Sequence, residues 1–467
     1  MFLWSEWYQC VQVFQAACSR RRTFVMLVLV LAAFCIRPDC AGVTSFIRAL
    51  FLDAGVYRSF LHFFNYSAGL NLALLTRIWY ELVLSRMPVM RVNDSIVYVV
   101  DGLKVPKEGK KMPGVKKLHQ SSQNNSKPAY IRGHSFQVLA VLVRTAAGHV
   151  AAIPLASRIL EGVLGSPRDQ RSSLDRMADL FVSLVAATPA LLLADAYYAS
   201  QTVIRPLLEK GHHVLTRVRT NAVAYLLPPP HEGGRRGRPK KYGEKVRLSS
   251  YFKNRKAFRI VKSPVYGETK ETIEYRTEVL LWHPIGRLVR FVWVIHPNRG
   301  RMILMCTDLS IDALKLIETY GYRFKIEVSF RNAVHTIGSY TYHFWMKEMK
   351  PRRRNQGDQY LHRESASYRR AVKRKLEAFH RYVQIGCIAQ GLLVYLALMH
   401  GTEVWKQYRG WMRTIRTNRP PSEGVTASAL RSALLDFLLN SPPEQKLKKI
   451  LTEHMRLEQI EEYQMAV

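Results

Sequence analysis

Acidic residues are scarce in this chain. Its 467 residues include 35 Asp and Glu against 70 Lys and Arg, which gives a formal net charge of +35. This deficit excludes an acidic, solvating chain and favours a polyanionic partner, with nucleic acid as the first candidate. Ribosomal and membrane-surface proteins share the bias, so charge alone does not decide the partner. The length of 467 residues is enough for two or three domains, and a hydrophobic content of 48% fits a globular protein.

Cysteine is also rare and is not arranged for metal binding. No cysteine forms a Cys-x2-Cys pair or has a histidine nearby at zinc-finger spacing, so a structural zinc site is not expected. Such a set fits a reducing cytoplasm. The cysteines are Cys10, Cys18, Cys35, Cys40, Cys306 and Cys387.

The apolar run near the N-terminus is too short to span a membrane. Phe24–Ile36 follows Arg20-Arg21-Arg22 and so imitates a signal sequence. However, a spanning helix needs roughly 20 residues, and the segment before the run is long for a signal peptide. We therefore predict a buried helix, with a membrane-anchored basic protein as the alternative.

Residues 1–90 have the apolar and aromatic spacing of helices, without strand-like alternation. They are predicted to form an accessory domain. Sequence-specific DNA binding and simple packing both remain open for it, because no recognition helix stands out.

Strand signals begin with Ser95–Val100, a β-branched run that ends on Asp101. An acid at the end of a strand, beside a lysine-rich loop, suits a metal ligand near a phosphate backbone. The alternative is an aspartate that caps a turn. The loop lysines are Lys104, Lys107, Lys110, Lys111, Lys116 and Lys117.

A second acid ends another apolar strand, Ala190–Ala194, which runs into Asp195. A hairpin and a helix are predicted between the two strands, from Ser135–Thr145, His149–Leu155 and Leu174–Ala187. Strand, hairpin, helix, strand is the plan of a ribonuclease-H-like fold. There the first and central strands are neighbours, so Asp101 and Asp195 are expected to converge.

A basic, Pro- and Gly-rich loop follows, and its Gly237-Arg238-Pro239 core resembles the minor-groove element of AT-hooks. A flexible basic linker is the alternative. Residues 245–306 then alternate like antiparallel strands and predict a β-rich insertion. The candidate DNA contacts of the loop are Arg235, Arg236, Arg238, Lys240 and Lys241.

The segment 319–345 carries a Tyr-x2-Arg-x3-Glu motif made of Tyr320, Arg323 and Glu327. On one continuous helix, Arg323 and Glu327 are four residues apart and share a face, so the arginine would orient the carboxylate. A solvated surface ion pair is the competing interpretation.

The densest basic region lies beyond residue 346 and leads into a predicted helix. Leu376, Phe379 and Val383 would form its buried stripe and leave the arginines outward. That outer face either follows DNA phosphates or is simply solvated.

Three carboxylates are what two-metal phosphoryl transfer requires, because hard oxygen ligands hold Mg²⁺. The sequence resembles DDE transposases of bacterial insertion sequences, in the insertion-sequence-4-like group. The resemblance covers roughly residues 95–350, and its motifs are VDGLKVPKEGKKMPGVKKLH, YIRGHSF, LLLADAYYAS, RRGRPKKYG and YRFKIEVSFR…YHFW. It implies Asp101, Asp195 and Glu327 as the metal-binding triad, with Tyr320 and Arg323 contacting the transposon end.

One position departs from the family motif. The motif continues Glu-x6-Lys, but the matching residue is Val334, followed by His335. Either Arg331 or His335 replaces the lysine at a phosphate, or this copy is impaired. The alternative function is thus a transposase-derived DNA-binding protein that has lost catalysis.

These signals together predict an α/β protein, with a ribonuclease-H-like core, a β-rich insertion and helical regions at both ends. The expected activity is a transposase with two Mg²⁺ ions, replaceable by Mn²⁺, that cleaves transposon ends and joins them to target DNA. A homodimer on double-stranded DNA, no membrane, and a bacterial cytoplasm at the nucleoid are expected. The predicted regions are 1–90 (helical), 91–225 (first part of the core), 226–300 (basic loop and insertion), 301–350 (end of the core with the Glu327 helix) and 351–467 (basic and helical).

Overall fold

The computed structural model describes residues 1–66, 68–120, 128–185, 189–229, 240–268 and 270–456. The chain divides into two compact units. The first unit comprises Met1–Val89, Gly102–Gln170 and Glu327–Val467, and the second comprises Met90–Asp101 and Arg171–Ile326. Each unit therefore combines stretches that are distant in the chain, and the N-terminal helices belong with the C-terminal ones.

Both helices and strands are abundant in the described part of the chain. The helices are α1 (Phe2–Val11), α2 (Arg21–Ile36), α3 (Thr44–Ala49), α4 (Val56–Tyr66), α5 (Leu72–Arg86), α6 (Ser173–Leu184), α7 (Gln201–Glu209), α8 (Ala313–Gly321), α9 (Lys325–Asn332), α10 (Ala366–Met399), α11 (Gly401–Gln407), α12 (Glu423–Asn440) and α13 (Lys446–Thr452). The strands are β1 (Arg91–Val92), β2 (Ser95–Pro106), β3 (Lys116–His119), β4 (Tyr130–Arg144), β5 (Val150–Ile159), β6 (Val163–Leu164), β7 (Ala190–Ala194), β8 (His213–Val218), β9 (Val223–Tyr225), β10 (Lys245–Arg247), β11 (Arg259–Lys262), β12 (Thr272–Trp282), β13 (Arg287–His296), β14 (Gly300–Cys306) and β15 (Gln359–Tyr360).

Helix α2 is buried on every side in the first unit. All of its residues from Thr23 to Ile36 are buried, and it contacts α4, α10, α12 and α13. A helix that is apolar all round needs such a surrounding shell. The prediction that Phe24–Ile36 is a buried helix is confirmed.

The long helix α10 is the core of the same unit. Phe379 and Val383 are fully buried and Leu376 is half-buried, as the predicted stripe requires. Within the described ranges, α10 alone is long and apolar enough to cross a membrane, but 89% of its apolar window is buried inside the protein. The core helix of a soluble protein passes the same test, so this is weak evidence for a membrane span.

An antiparallel hairpin of β4 and β5 packs beside α10. The Thr145 amide donates to the His149 carbonyl across the turn, and Gly148 supplies the positive φ of 81° that the turn needs. The hairpin expected from the sequence is confirmed. The short strand β3 extends it on the outer side of β4.

The sheet of the second unit runs in the order β10, β9, β12, β13, β14, β8, β7, β2. β2, β7 and β8 are parallel neighbours, whereas β12, β13 and β14 form an antiparallel meander. The antiparallel strands predicted for residues 245–306 are therefore present. Helix α6 begins with a capping box of Ser172 and Asp175 and packs against α7.

A buried arginine fixes the end of the segment that follows α9. In the first unit, Arg37 donates to the carbonyls of Ile337 and Gly338, and its guanidinium lies over the rings of Phe34 and Phe46. Gly338 has a φ of 69°. The arginine thus satisfies the Ile337 carbonyl and shares the Gly338 carbonyl with the amide and hydroxyl of Thr341.

Candidate active site

Two acids come together at the ends of adjacent parallel strands in the second unit. The register pairs Ile96 with Ala190 and Val99 with Leu193. Continuing that register by two residues places Asp101 opposite Asp195. Both are half-buried. The strands predicted to be neighbours are neighbours, because their β-branched and leucine runs are buried on both faces.

Local hydrogen bonds orient Asp195. Its Oδ1 accepts from the Tyr197 amide at 2.9 Å, and its carbonyl accepts from the Thr216 hydroxyl at 2.7 Å. It caps the short 3₁₀ turn Ala196–Tyr198. The turn-capping role that the sequence raised for Asp101 is thus found at Asp195, where it fixes the side chain at the strand end.

Asp101 is held by Arg323. The arginine Nη1 lies 3.0 Å from the Asp101 Oδ2, and the two side chains are 20% and 21% exposed. The sequence instead predicted that Arg323 would orient Glu327 along one continuous helix. The helical segment contains a tighter turn, because α8 ends at Gly321, a 3₁₀ turn covers Tyr322–Phe324, and α9 begins at Lys325. The structure thus adds Asp101 as a partner of Arg323, and the orientation of Glu327 by Arg323 stays a prediction.

Besides burial, the charges of both carboxylates contribute to raising the pKa of two nearby tyrosines, Tyr198 and Tyr320. Burial, with smaller contributions from the charges of Asp101 and Asp195, raises the pKa of Tyr198 well above its usual value of 10. Burial also raises the pKa of Tyr320, against the opposing charges of Arg323 and Arg217. Both phenols therefore stay neutral at ordinary pH and add no negative charge beside the acids.

A third parallel strand, β8, places a cation, Arg217, beside the two acids. The register pairs Ala194 with Thr216 and, continued by one residue, brings Arg217 opposite Asp195. Arg217 is exposed, and its charge reaches Tyr320. Sequence reasoning missed Arg217, Tyr198 and Thr216. The available signal was the end of β8, an apolar strand parallel to the two that carry the acids.

The donor set suits a divalent metal only in part. Two carboxylates on neighbouring strand ends offer the hard oxygens that Mg²⁺ prefers. Within the part of the chain that the structure describes, no three His, Cys, Asp or Glu side chains group closely enough to hold a metal ion. The second unit thus supplies a two-carboxylate platform, and Arg323 engages one oxygen of it.

Glu327 lies in the first turn of α9, which belongs to the first unit, and is exposed. Gln390 of α10 donates to the Ser329 carbonyl at 2.9 Å and so anchors this helix. Arg331 and His335 are exposed, whereas Val334 is half-buried in the π-helical turn Ala333–Ile337. Either basic side chain is thus accessible to a phosphate, as a replacement for the missing motif lysine requires.

The sequence of residues 12–276, more than half of the chain, matches the family described as DDE superfamily endonuclease. The chain belongs to this family. The match includes Asp101 and Asp195 and ends before Glu327. No curated protein matches the sequence. Among solved structures, the endonuclease is similar to a piggyBac transposase synaptic complex with hairpin DNA. That similarity covers 93% of this chain and 76% of that chain, at 10% identity and a TM-score of 0.36.

The lysines predicted to contact DNA differ in their surroundings. In this DDE endonuclease, Lys104 and Lys110 are exposed, and Lys111 donates to the Lys347 carbonyl at 3.0 Å. Lys240 and Lys241 are exposed in the second unit. Arg235, Arg236 and Arg238, with the AT-hook-like core, lie outside the described residues.

Lys107 is the exception, because its side chain is buried. Its ammonium donates to the carbonyls of Tyr340 and Tyr342 and lies 3.9 Å from the Tyr342 ring centroid. Burial lowers its pKa to about 7. A phosphate contact is not available to Lys107 in this geometry, and its expected role as a DNA contact is replaced by a structural one.

Proposed function

We propose that this DDE endonuclease is an insertion-sequence transposase, which hydrolyses the phosphodiester at transposon ends and transfers the freed 3′-hydroxyl to target DNA. The observation that supports it is the alignment of Asp101 and Asp195 at adjacent parallel strand ends in a member of a DDE endonuclease family. The large positive charge fits a DNA substrate.

In this proposal, Asp101, Asp195 and Glu327 hold two Mg²⁺ ions, which Mn²⁺ can replace. When bound, the ions supply the Lewis acidity that phosphoryl transfer needs. Arg323 keeps the Asp101 carboxylate in place, and the capped turn keeps Asp195 in place. Arg217, exposed at the same strand ends, offers a cation to a DNA phosphate.

The wider setting is proposed on the same basis. The substrate is double-stranded DNA, and a homodimer brings two transposon ends together. The protein acts at the nucleoid of a bacterial cytoplasm and belongs to the insertion-sequence-4-like group. A catalytically silent DNA-binding protein is the second candidate, and the observation that favours it is Val334 in place of the motif lysine.

Single-turnover cleavage of labelled DNA carrying the element's own ends, with Mg²⁺ or Mn²⁺, tests the proposal. We expect metal-dependent nicking by the wild type, loss in Asp195→Ala, and no change in the control Asp94→Ala, whose exposed acid lies before the other end of β2. A gain in Val334→Lys would show that the missing lysine limits the rate. Specific end binding without nicking by either the wild type or Val334→Lys would favour the silent DNA-binding protein.

A further inference from the structure

A groove of about 690 Å³ lies between the start of α2 and one face of α4, within the first unit. Three arginines, Arg20, Arg22 and Arg58, line it and are exposed. The described lining residues include no Asp or Glu, and in the described ranges none of the three arginines has an ion-pair partner. Unpaired cations around a concave surface focus positive potential into it.

The wall of the groove is fixed by backbone contacts. The Ser19 amide donates to the Gly69 carbonyl at 2.8 Å, and the Asn71 amide donates to the Ala17 carbonyl at 2.9 Å. Gly69 permits this approach, since a Cβ there would lie 2.6 Å from the Thr23 hydroxyl. The arginines are therefore presented by a defined wall rather than by a free tail.

Helix α2 adds to the positive potential. It begins after Arg20 without a side-chain cap. Uncapped N–H groups at a helix start attract anions. This adds to the three arginines, which already define the groove.

An aromatic side chain completes the surface. Arg58, His62 and Tyr66 recur every fourth residue along one face of α4. Tyr66 is 55% exposed, its ring lies 5.7 Å from that of His62, and the Arg374 guanidinium lies 4.9 Å from its centroid. Cations alternating with an exposed aromatic ring are the composition of nucleic-acid contacts, where phosphates pair and sugars or bases stack.

We propose that this α2–α4 groove binds the phosphodiester backbone of DNA. Its residues are separate from those of the catalytic proposal, on which the inference rests only for the choice of DNA as the polyanion. The N-terminal helices would thereby add affinity in a largely sequence-independent way. Phosphate pairing by Arg20, Arg22 and Arg58 would make that affinity depend on salt.

Fluorescence anisotropy of labelled duplexes, measured over a salt series, tests the groove. We expect the triple variant Arg20→Gln, Arg22→Gln, Arg58→Gln to lose roughly 10- to 100-fold in affinity near 0.1 M salt. The salt slope should fall by about one for each phosphate that no longer pairs with an arginine. The matched control Arg413→Gln, Arg416→Gln, Arg419→Gln removes the same charge from exposed positions of the same unit and should change affinity by less than about threefold.

Two outcomes would overturn the proposal that the groove binds the DNA backbone. One is an unchanged affinity in the groove variant, and the other is an equal loss in both triple variants, which would mean that only net charge matters. Inorganic phosphate and phosphatidylserine vesicles are titrated in parallel, because a lipid headgroup offers the same chemistry. Arginine-dependent vesicle binding as tight as DNA binding would also refute DNA as the occupant.

The catalytic proposal can fail independently of the groove. The anisotropy measurements are made without divalent metal, so that they report DNA binding by the groove and not cleavage. Retained binding without any wild-type nicking would reject catalysis alone. A Tyr66→Ala variant, whose exposed ring carries no fold-critical burial, should weaken DNA binding several-fold and gives a second measurement independent of charge.

Discussion

Arg323 and Asp101 form an ion pair across 222 positions of the chain, with the arginine Nη1 3.0 Å from the carboxylate Oδ2. Each partner is about one-fifth exposed. Solvent therefore screens the pair only in part, and removing the arginine would leave a largely shielded carboxylate without its cation. Its main consequence is orientation, since Asp101 is held at the strand end beside Asp195.

Arg323→Met should therefore separate catalysis from stability. We expect single-turnover cleavage to fall at least about tenfold, while the free energy of unfolding in urea falls by only about 1–3 kcal/mol, the cost of leaving Asp101 without its partner. Arg276→Met is the control, because Arg276 pairs with Glu278 at 2.7 Å in the same unit and is similarly shielded. Equal losses of cleavage in the two variants would contradict an orienting role.

Lys107→Met should leave DNA affinity unchanged and alter the pH dependence of stability. The pKa of Lys107 falls to about 7 in the folded protein, from 10.5. The unfolded chain therefore binds more protons between pH 7 and 10.5, so this group's contribution to stability rises with pH there and is lost as the pH falls to 7. Relative to Lys107→Met, the wild type should gain up to about 1.4 kcal/mol per pH unit.

Urea unfolding of both proteins from pH 7 to 10 measures this difference. Lys110→Met is the control, since Lys110 is exposed. A pH-independent difference between wild type and Lys107→Met would refute the buried, weakly basic ammonium.

His134 should make the fold sensitive to acid. Its Nε2 donates to the Pro113 carbonyl, its Nδ1 accepts from the Tyr342 hydroxyl, and burial lowers its pKa to about 3, from 6.5. The unfolded chain takes up a proton first, so stability is lost as the pH falls from about 6.5 towards 3. We expect His134→Gln to lessen that loss by up to about 1.4 kcal/mol per pH unit.

Urea unfolding at pH 7, 6, 5 and 4 measures how steeply the free energy of unfolding changes with pH in the two proteins. His380 is half-buried, and desolvation also lowers its pKa to about 3, so it keeps part of the acid sensitivity in the variant. His335→Gln, at an exposed position, serves as the control. A slope in His134→Gln equal to that of the wild type would refute the assignment.

Gly338→Ala should destabilise the protein through a clash as well as through its backbone. A Cβ there would overlap the Arg37 Nη2, at a φ of 69°. Gly300 has the same φ with no atom within 4 Å of its Cβ, so Gly300→Ala isolates the backbone cost of about 1–2 kcal/mol. Thermal unfolding should show a clearly larger loss for Gly338→Ala, and equal losses would mean that Arg37 moves aside freely.

The strands that carry the two acids could be predicted because their buried runs and terminal aspartates are local patterns. The same holds for the hairpin and for the buried helix α2. The pairing of Arg323 with Asp101 could not be predicted, since the two residues are 222 positions apart and the Tyr-x2-Arg-x3-Glu spacing pointed only to Glu327.

Long-range contacts set the other limits on prediction. The burial of Lys107 depends on two carbonyls more than 230 positions away, so its lysine-rich surroundings suggested the wrong environment. Arg217 was missed because its importance follows from the register of β8 against β7. The sequence shows that β8 is apolar but not which strand it adjoins.

Helix α2 also bears on how the protein is made. Its apolar surface is covered by α10, α12 and α13, and these helices are synthesised more than 300 residues later. During translation the helix therefore leaves the ribosome long before its packing partners exist. For that interval it is a hydrophobic segment preceded by arginines, which chaperones and the secretion machinery both recognise, and its burial is completed only when the C-terminal helices arrive.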